Sequence, residues 1–537
     1  MKKMRLLCIT LLIAQVSMAQ NWQDTLLLID KACSQYQPQN PGLQLSISRN
    51  GNIIFSKAWG MADMERHVLL DTSSILEAGS VSKQFTAAAI LLLQQQGKLS
   101  LDDDVRKYIP ELPDYGTPIT LRQMLHHTSG FRDWGSVAEL TGWPRGTKFY
   151  TNTDALQILT RQKQLNNKPG SEFLYSNSNY NLFAIIVQRA SGLSLAAFTQ
   201  KYIFIPAGMV HTQWRDDPNR IVPNRAIAYS KTDSGYETEM PNEYVYGNGG
   251  LLTTTEDLLK WSDFYQQGTL GTTSLFATQI KTEPLNNGVM NFYGAGLFIR
   301  KDLGWNSISH NGATAGYRAY LETFSDLHLS FALLSNTDAF NINYVARNII
   351  KLFVHDTSIV IKDSSIIVPV AKLDSIAGLY VNERDNSTFQ LSVKNNSLVL
   401  NNAITLTPAA ENAFKAANFM LVINGDKGMY IPFLPLDSIP FRKVNAVTVA
   451  AKDFAAYEGN YFSDETNAAV TIQQNSDKLE IHLNADVAYT LIATYADAFK
   501  IAELDAAVQF IRNARNKIVM MKISVSRARN VEFKKTK

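Results

Sequence analysis

The alternation of apolar and polar residues after position 40 predicts a β-hairpin followed by a buried helix. Leu43 to Ser48 and Ile53 to Trp59 have the composition of two strands, and Asn50-Gly51 between them is a dipeptide favoured in tight hairpin turns. The stretch 84–93 is rich in helix formers and apolar on nearly all sides, which is typical of a helix inside a core. Gly97 is placed to end that helix.

Further along, helical and strand patterns are interleaved. Asn179 to Arg189 is an amphipathic segment closed by Ser191-Gly192, which predicts a helix. Tyr317 to Phe324 and Leu327 to Leu334 are predicted to be two strands joined by a turn at Ser325-Asp326. This mixture indicates an α+β domain in the first two thirds of the chain.

The last third has a different character. Short alternating segments recur between turns rich in Asn and Asp, and residues 373–380 share a pattern with residues 454–461. We therefore predict two related halves that form either one closed antiparallel barrel or a pair of small sheets.

The N-terminus has the features of a secretory signal peptide. Basic residues among the first five precede an apolar run, 6–16, and the small residues 17–19 predict cleavage near Ala19-Gln20. The run is too short for a membrane span, so no integral membrane segment is expected in the mature chain. Cleavage would leave Cys33 as the single cysteine, which excludes an intramolecular disulfide. We expect a secreted protein of the bacterial periplasm.

Charge and motif content narrow the classes of function. The formal net charge is +3, and the basic residues of the leader account for it, so no nucleic-acid partner is expected. The 8 histidines show no metal-ligand spacing, and there is no Gly-rich phosphate loop, so neither a metal nor another cofactor is expected. A Gly-x-Ser-x-Gly elbow is also absent, which argues against an α/β-hydrolase. The oligomeric state stays open.

Candidate chemistry begins with Ser80-Val81-Ser82-Lys83, which opens the predicted buried helix. On a helix, Ser80 and Lys83 share a face, so the amine and the hydroxyl can touch. A serine hydroxyl needs a neighbouring base to become a good nucleophile, and a lysine at the edge of an apolar core has its neutral form favoured. The alternative is a helix start with a capping serine and a solvated lysine.

Two triplets follow in an order that matches a known template. Ser-x-x-Lys, Ser-Asp-Asn and Lys-Thr-Gly occur in penicillin-recognising enzymes, and this chain has Tyr175-Ser176-Asn177 and His310-Asn311-Gly312 in the later places. Separately, each has a structural alternative: a buried tyrosine, a helix N-cap at Asn177 and a turn histidine. Their ordered occurrence with Ser80 and Lys83 favours a functional site.

With these motifs, the chain resembles the class C β-lactamase and D-alanyl-D-alanine carboxypeptidase family of serine hydrolases over roughly residues 25–355. The supporting blocks are 121–130, 168–177, 205–209, 249–258 and 293–296.

The resemblance implies a domain plan. It implies an antiparallel sheet flanked by helices over 20–355, with a helical insertion at about 100–290 whose inner edge carries Tyr175. A linker, 356–372, would lead to a β-rich domain, 373–537, similar to the lipocalin-like domain of some members. We expect that domain to serve packing or assembly rather than to restrict the cleft as a lid.

The resemblance also implies roles for individual residues. Ser80 would be the acylated nucleophile, Lys83 would help to deprotonate it, and Tyr175 would be the general base or its proton-relay partner. His310 would stand beside Tyr175, where its charge would stabilise a phenolate or orient the substrate. The remaining roles are Asn177 on the substrate amide, Asn311 and Gly312 in substrate binding, the backbone N–H groups of Ser80 and Ala313 as the oxyanion hole, and His126 and His127 in packing.

The function implied is a secreted serine hydrolase that cleaves an amide or ester of a small peptide-like substrate through a Ser80 acyl-enzyme. His310 stands where β-lactamases usually have lysine, which favours D-amino-acid peptides over β-lactams as substrates. The alternatives are a β-lactamase or esterase of the same fold, or a non-catalytic protein that binds peptidoglycan or peptides.

Overall fold

A computed structural model of the chain describes residues 22–271, 274–358, 366–432 and 438–536. The predicted signal peptide, 1–19, and the stretch 359–365 of the predicted linker lie outside the described residues. Within the described ranges no single helix is long and apolar enough to cross a membrane, and one bent pair, Asn177–Ser191 with Leu195–Phe204, reaches that length and composition only when joined.

The first two thirds of the chain form an α+β domain, which confirms the predicted fold class. Its helices are α1 (22–32), α2 (Lys83–Gln95), α3 (Leu121–Leu125), α4 (Trp134–Glu139), α5 (Asn152–Thr160), α6 (Asn177–Ser191), α7 (Leu195–Thr199), α8 (Thr255–Gln266), α9 (Ser274–Ile280) and α10 (Ile342–Ile350). Its strands are β1 (Leu43–Arg49), β2 (Asn52–Trp59), β3 (Met61–Asp63), β4 (Val68–Leu69), β5 (Leu76–Glu77), β6 (Gln213–Trp214), β7 (Tyr229–Thr232), β8 (Gly235–Thr238), β9 (Leu251–Thr253), β10 (Phe298–Asp302), β11 (Trp305–Thr314), β12 (Tyr317–Phe324) and β13 (Leu329–Ser335).

A six-stranded sheet in the order β10-β11-β12-β13-β1-β2 is the platform of this domain. The predicted hairpin is present as β1 and β2, with Asn50 and Gly51 at positive φ in its turn. The chain returns after the helical region, so that β13 pairs antiparallel with β1 and joins the two ends of the domain in one sheet. β11, which carries the His310 triplet, therefore sits between β10 and β12 near one edge.

The two faces of β1 explain how the sheet is covered. Leu43, Leu45 and Ile47 are fully buried in a cluster with residues of α1 and α10. The alternate residues face α8, where the Ser46 hydroxyl lies 2.8 Å from that of Thr255. Since successive strand residues point to opposite faces, the pattern Leu-Gln-Leu-Ser-Ile-Ser gives one apolar and one hydrogen-bonded face.

The last third contains two closed eight-stranded barrels, preceded by α11 (Val370–Ile376). The first comprises β14 (Gly378–Asn382), β15 (Thr388–Lys394), β16 (Ser397–Leu400), β17 (Ile404–Ala410), β18 (Ala413–Lys415), β19 (Phe419–Asn424), β20 (Lys427–Pro432) and β21 (Ile439–Val444). The second comprises β22 (Gly459–Ser463), β23 (Ala468–Asn475), β24 (Lys478–His482), β25 (Ala488–Ala493), β26 (Ala498–Ile501), β27 (Ala506–Arg512), β28 (Ile518–Val525) and β29 (Ala528–Lys535).

The predicted barrel-like character of this region is confirmed. Neither of the two predicted arrangements, one closed barrel or a pair of small sheets, is correct, because each half closes into a barrel of its own. Eight strands are enough for closure around a filled interior. The internal repeat has a structural cause: Tyr380 donates to the Ile376 carbonyl at 2.7 Å, and Tyr461 donates to the Tyr457 carbonyl at 2.7 Å. Each barrel thus begins with the same buried tyrosine, anchored on the residue four positions earlier.

Candidate active site

Ser80 lies in a 3-10 turn, Gly79–Ser82, that leads directly into α2. Lys83 is the first residue of α2, and its Nζ is 3.0 Å from the Ser80 hydroxyl oxygen. The apolar run that follows is buried on all sides, so α2 is fixed in the core and its start cannot move freely. The sequence placed the two side chains on one helical face, and the turn brings them together as expected.

Lys83 is fully buried and has three polar neighbours. Besides Ser80, its amine donates to Asn177 Oδ1 at 2.9 Å and to the Asn248 carbonyl at 2.6 Å. Burial lowers the pKa of Lys83 well below its ordinary value, and the positive charge of Arg527 adds to this effect. In its neutral form the amine has two N–H groups for these two oxygens and one lone pair that can accept the proton of the Ser80 hydroxyl.

Tyr175 is the third member of this group. Burial raises the pKa of its phenol, and a hydrogen bond with the Ser80 side chain acts in the opposite direction. The Lys83 amine lies 4.9 Å from the centre of the Tyr175 ring. The phenol is therefore protonated at neutral pH, and it lies beside the Ser80–Lys83 pair.

Asn177 is placed by the start of α6. Ser176 is the N-cap residue, and the Asn177 backbone N–H donates to Asp133 Oδ2 at 2.7 Å. Asn177 is thus a first-turn residue rather than the cap, and its side-chain oxygen is directed at Lys83. The helix starts two residues earlier than the sequence predicted, and Gly192 closes it in the left-handed conformation.

His310 differs from its expected state. The pKa of the imidazole is lowered to about 3, and burial is the main cause. It is therefore neutral near pH 7, which contradicts the expectation that its charge stabilises a phenolate. Its Nε2 lies 2.9 Å from the Tyr293 hydroxyl and its Nδ1 lies 2.6 Å from the Asn311 carbonyl. Both nitrogens of the neutral imidazole are thus engaged, which fixes the ring beside Tyr175. The centres of the His310 and Tyr175 rings are 6.2 Å apart.

The strand after His310 packs directly on the Ser80 turn. β10 pairs with β11 only as far as Ser309, so the backbone edge from His310 onward is left for this contact. A Cβ at Gly312 would lie 2.1 Å from the Ala78 carbonyl and 3.0 Å from the Ser80 nitrogen. A Cβ at Gly79 would lie 2.7 Å from the Ala313 nitrogen. The backbone nitrogens of Ser80 and Ala313 thus lie on the two sides of one close contact.

A cleft of about 440 Å³ is lined by Ser80, Tyr175, Asn177, His310, Asn311 and Gly312. Two arginines on the wall of the cleft are paired with carboxylates, so each pair has no net charge. Arg215 pairs with Glu77 at 2.8 Å, and Arg145 pairs with Glu243. Arg527, from the turn between β28 and β29 of the second barrel, also lines the cleft, and its guanidinium lies 4.9 Å from the centre of the Tyr175 ring.

His126 and His127 both pack against the site. His127 is buried, with its ring centre 4.2 Å from that of Tyr175, and its Nδ1 accepts from the Ser176 backbone N–H at 3.2 Å. His126 Nδ1 lies 2.8 Å from the Tyr293 carbonyl. In the described part of the chain, no three His, Cys, Asp or Glu side chains cluster closely enough to hold a metal ion.

Several residues of the site were not assigned by sequence reasoning, among them Tyr293, Asn248 and Arg527. Tyr293 lies in a block, 293–296, that supported the resemblance, and Asn248 completes a Tyr-x-Asn triplet at Tyr246, so both had a weak signal. Arg527 had no such signal, because it lies in the second barrel, far along the chain from the motifs of the site.

Comparisons with known proteins agree with this geometry. A family model described as Beta-lactamase matches residues 26–353. Penicillin-binding protein 4* of Bacillus subtilis is 30% identical over 317 residues, which cover 54% of this chain and 67% of that protein. A D-aminopeptidase of Gluconobacter oxydans is 28% identical over 297 residues, covering 55% of this chain and 56% of that protein, so the chain spans little more than half of that relative.

A solved structure supports the fold. The octameric penicillin-binding protein homologue from Pyrococcus abyssi aligns with a TM-score of 0.54 at 22% identity, covering 78% of this chain and 99% of that one. At this level of identity the likeness shows the fold alone.

Proposed function

Because the chain belongs to the β-lactamase family of serine hydrolases, we propose that it hydrolyses an amide or ester of a small peptide-like substrate through an acyl-enzyme on Ser80. The observation that carries the proposal is the 3.0 Å contact of the Ser80 hydroxyl with a buried amine, which itself lies 4.9 Å from the centre of the buried Tyr175 ring. A protein that only bound peptides would gain nothing from keeping an uncharged lysine in its core.

Acylation follows from the states of these groups. The Ser80 oxygen attacks the substrate carbonyl while its proton passes to the Lys83 lone pair, 3.0 Å away. The backbone N–H groups of Ser80 and Ala313 stabilise the negative oxygen that forms. The Tyr175 phenol then gives its proton to the leaving nitrogen or oxygen as the carbonyl bond to that atom breaks.

Deacylation restores every group. A water molecule attacks the acyl carbon and gives a proton to the Tyr175 phenolate, and the Lys83 ammonium returns its proton to the Ser80 oxygen as the acid leaves. One water is consumed for each bond cleaved. Tyr175 thus acts as the general acid of acylation and as the general base for water in deacylation, while Lys83 exchanges its proton with Ser80.

D-amino-acid substrates are the proposed class. A relative at 28% identity is named a D-aminopeptidase, and a neutral His310 lacks the permanent charge with which a lysine would hold a carboxylate at the third motif. A β-lactam would then acylate Ser80 slowly. We also propose export to the periplasm, on the strength of the N-terminal leader.

A panel of chromogenic substrates tests the proposal. D- and L-aminoacyl p-nitroanilides, p-nitrophenyl esters and a chromogenic cephalosporin would be compared on the purified protein and on Ser80→Ala. We expect turnover of the D-anilides above that of their L-enantiomers, slow reaction of the cephalosporin, and no turnover by Ser80→Ala. A folded protein that turned over none of them would be a binding protein instead, and equal rates for both enantiomers would remove the D-preference.

A further inference from the structure

The second barrel contributes a charged group to the cleft of another domain. The tip of the β28–β29 hairpin is held by its backbone, because the Arg527 carbonyl accepts from the Asp133 backbone N–H at 3.1 Å and from Asn166 Nδ2 at 2.8 Å. Next to it, the Arg529 backbone N–H donates to Asn166 Oδ1 at 2.8 Å. These hydrogen bonds fix the backbone at Arg527, so the fold determines the point from which its side chain extends into the cleft.

The Arg527 side chain is about 39% exposed, and its nearest acidic neighbour, Asp133 Oδ2, is 4.0 Å away. Asp133 is already engaged: it accepts from the backbone N–H groups of Gly135 at 3.0 Å, Ser136 at 3.3 Å and Asn177 at 2.7 Å. The Arg527 guanidinium therefore makes no hydrogen bond with the residues that the structure describes. Its charge is paired only through this 4.0 Å contact with Asp133, whereas the other two arginines of the cleft make hydrogen-bonded ion pairs.

The Arg527 guanidinium also lies beside an aromatic ring. Its carbon lies 4.9 Å from the centre of the Tyr175 ring, a cation–π distance. An arginine beside an aromatic ring uses its face for that contact and keeps its N–H groups in the plane, where a carboxylate can accept two of them. Ser80, Tyr175 and Arg527 border the same cleft, so a substrate acylating Ser80 passes within reach of these donors.

We propose that Arg527 binds a carboxylate of the substrate, so that the second barrel sets the specificity of the first domain for anionic, peptide-like substrates such as peptides with a free C-terminal carboxylate. The neutral His310 cannot supply this charge, and Arg145 and Arg215 are already paired. A substrate with an ammonium group at this position would be repelled. This inference rests on the proposed acyl-enzyme function and adds the charge of the substrate to it.

Binding of a carboxylate ligand can be measured without turnover, because a ligand in the cleft protects Ser80 from labelling by a neutral fluorophosphonate. N-acetyl-D-alanyl-D-alanine and its C-terminal amide would compete with labelling of the full chain, and the ratio of their half-protecting concentrations would be compared among variants. We expect the wild type to favour the carboxylate, Arg527→Ala to lose about 10- to 100-fold of that ratio, and Arg527→Glu to lose more. Arg527→Lys should keep part of it.

Arg515→Ala is the matched control, because Arg515 is an exposed arginine at another turn of the same barrel. It should leave the ratio unchanged. Equal protection by acid and amide in the wild type, or no protection by the acid, would overturn the proposal. The proposal would also be overturned if Arg527→Ala had the same ratio of half-protecting concentrations as the wild type, even with a lower labelling rate. Arg527 would then act only on Tyr175 and Lys83. Failure of the proposed function is a separate result, namely no labelling of Ser80 at all.

Discussion

At the scale of single residues, burial decides the protonation states on which the chemistry depends. Lys83 has no carboxylate in hydrogen-bond contact, so the cost of burying its charge lowers the pKa of the amine well below its ordinary value, and the charge of Asp133 offsets only part of this effect. The sequence predicted this for Lys83, because an apolar run follows it. It could not predict the state of His310, because burial of that ring depends in part on Tyr175, which comes from a distant part of the chain.

The pH dependence of Ser80 labelling by a neutral fluorophosphonate follows from these states. The neutral amine is the active form, so the rate should fall as the pH drops through the lowered pKa of Lys83 and should already be at its plateau well below pH 10.5, the ordinary lysine value. At high pH the plateau should persist, because burial raises the pKa of Tyr175 above its ordinary 10.0. Lys83→Ala should be slow at every pH, and a wild-type rate that kept rising up to pH 10.5 would contradict a neutral lysine.

At the scale of elements, the site is a contact between the turn before α2 and the free edge of β11. The sequence predicted the elements near the motifs, including the first hairpin and the strands after His310, because short-range patterns and turn residues determine them. It could not predict how closely the turn and the strand approach, since Gly79 and Gly312 are far apart along the chain. Each is a glycine because a Cβ would meet the other segment's backbone.

Gly312→Ala tests that contact. The added methyl group would meet the Ala78 carbonyl at 2.1 Å, so the strand must move away from the Ser80 turn and the two oxyanion donors must separate. We expect the labelling rate to fall about 100-fold or more, with a smaller loss of stability, about 1 to 3 kcal/mol. Gly249→Ala is the control, because its methyl group would meet Gly79 backbone atoms no closer than 3.8 Å. Similar rates for the two variants would show that this contact does not set the oxyanion geometry.

At the scale of the whole molecule, the second barrel is tied to the catalytic domain by buried charges. Arg132, about 1% exposed, donates to Glu465, about 4% exposed, at 2.5 Å, and Arg529 donates to Glu172 at 3.0 Å. The sequence predicted an all-β region and its repeat but treated it as a packing module. The partners in these pairs are hundreds of residues apart, and no local pattern in the sequence connects them.

Glu465→Ala should therefore weaken the whole molecule. Removing one partner leaves the Arg132 charge buried without its carboxylate, a change that costs about 3 to 5 kcal/mol in comparable pairs. Asp464→Ala is the control from the adjacent position, because Asp464 pairs with Lys163 at the surface, where both side chains are about half exposed. Calorimetric melting of the three proteins should show a clear loss for Glu465→Ala only. A melting temperature equal to that of the wild type would mean that the barrel is docked by other contacts.

The most direct measurement is the site of covalent labelling. Wild-type protein and Ser80→Ala would be treated with a fluorophosphonate, and the modified residue would be located by peptide mass spectrometry. We expect one adduct per chain on Ser80 in the wild type and none in Ser80→Ala. An adduct on another residue, or undiminished labelling of Ser80→Ala, would contradict the assignment of Ser80 as the nucleophile.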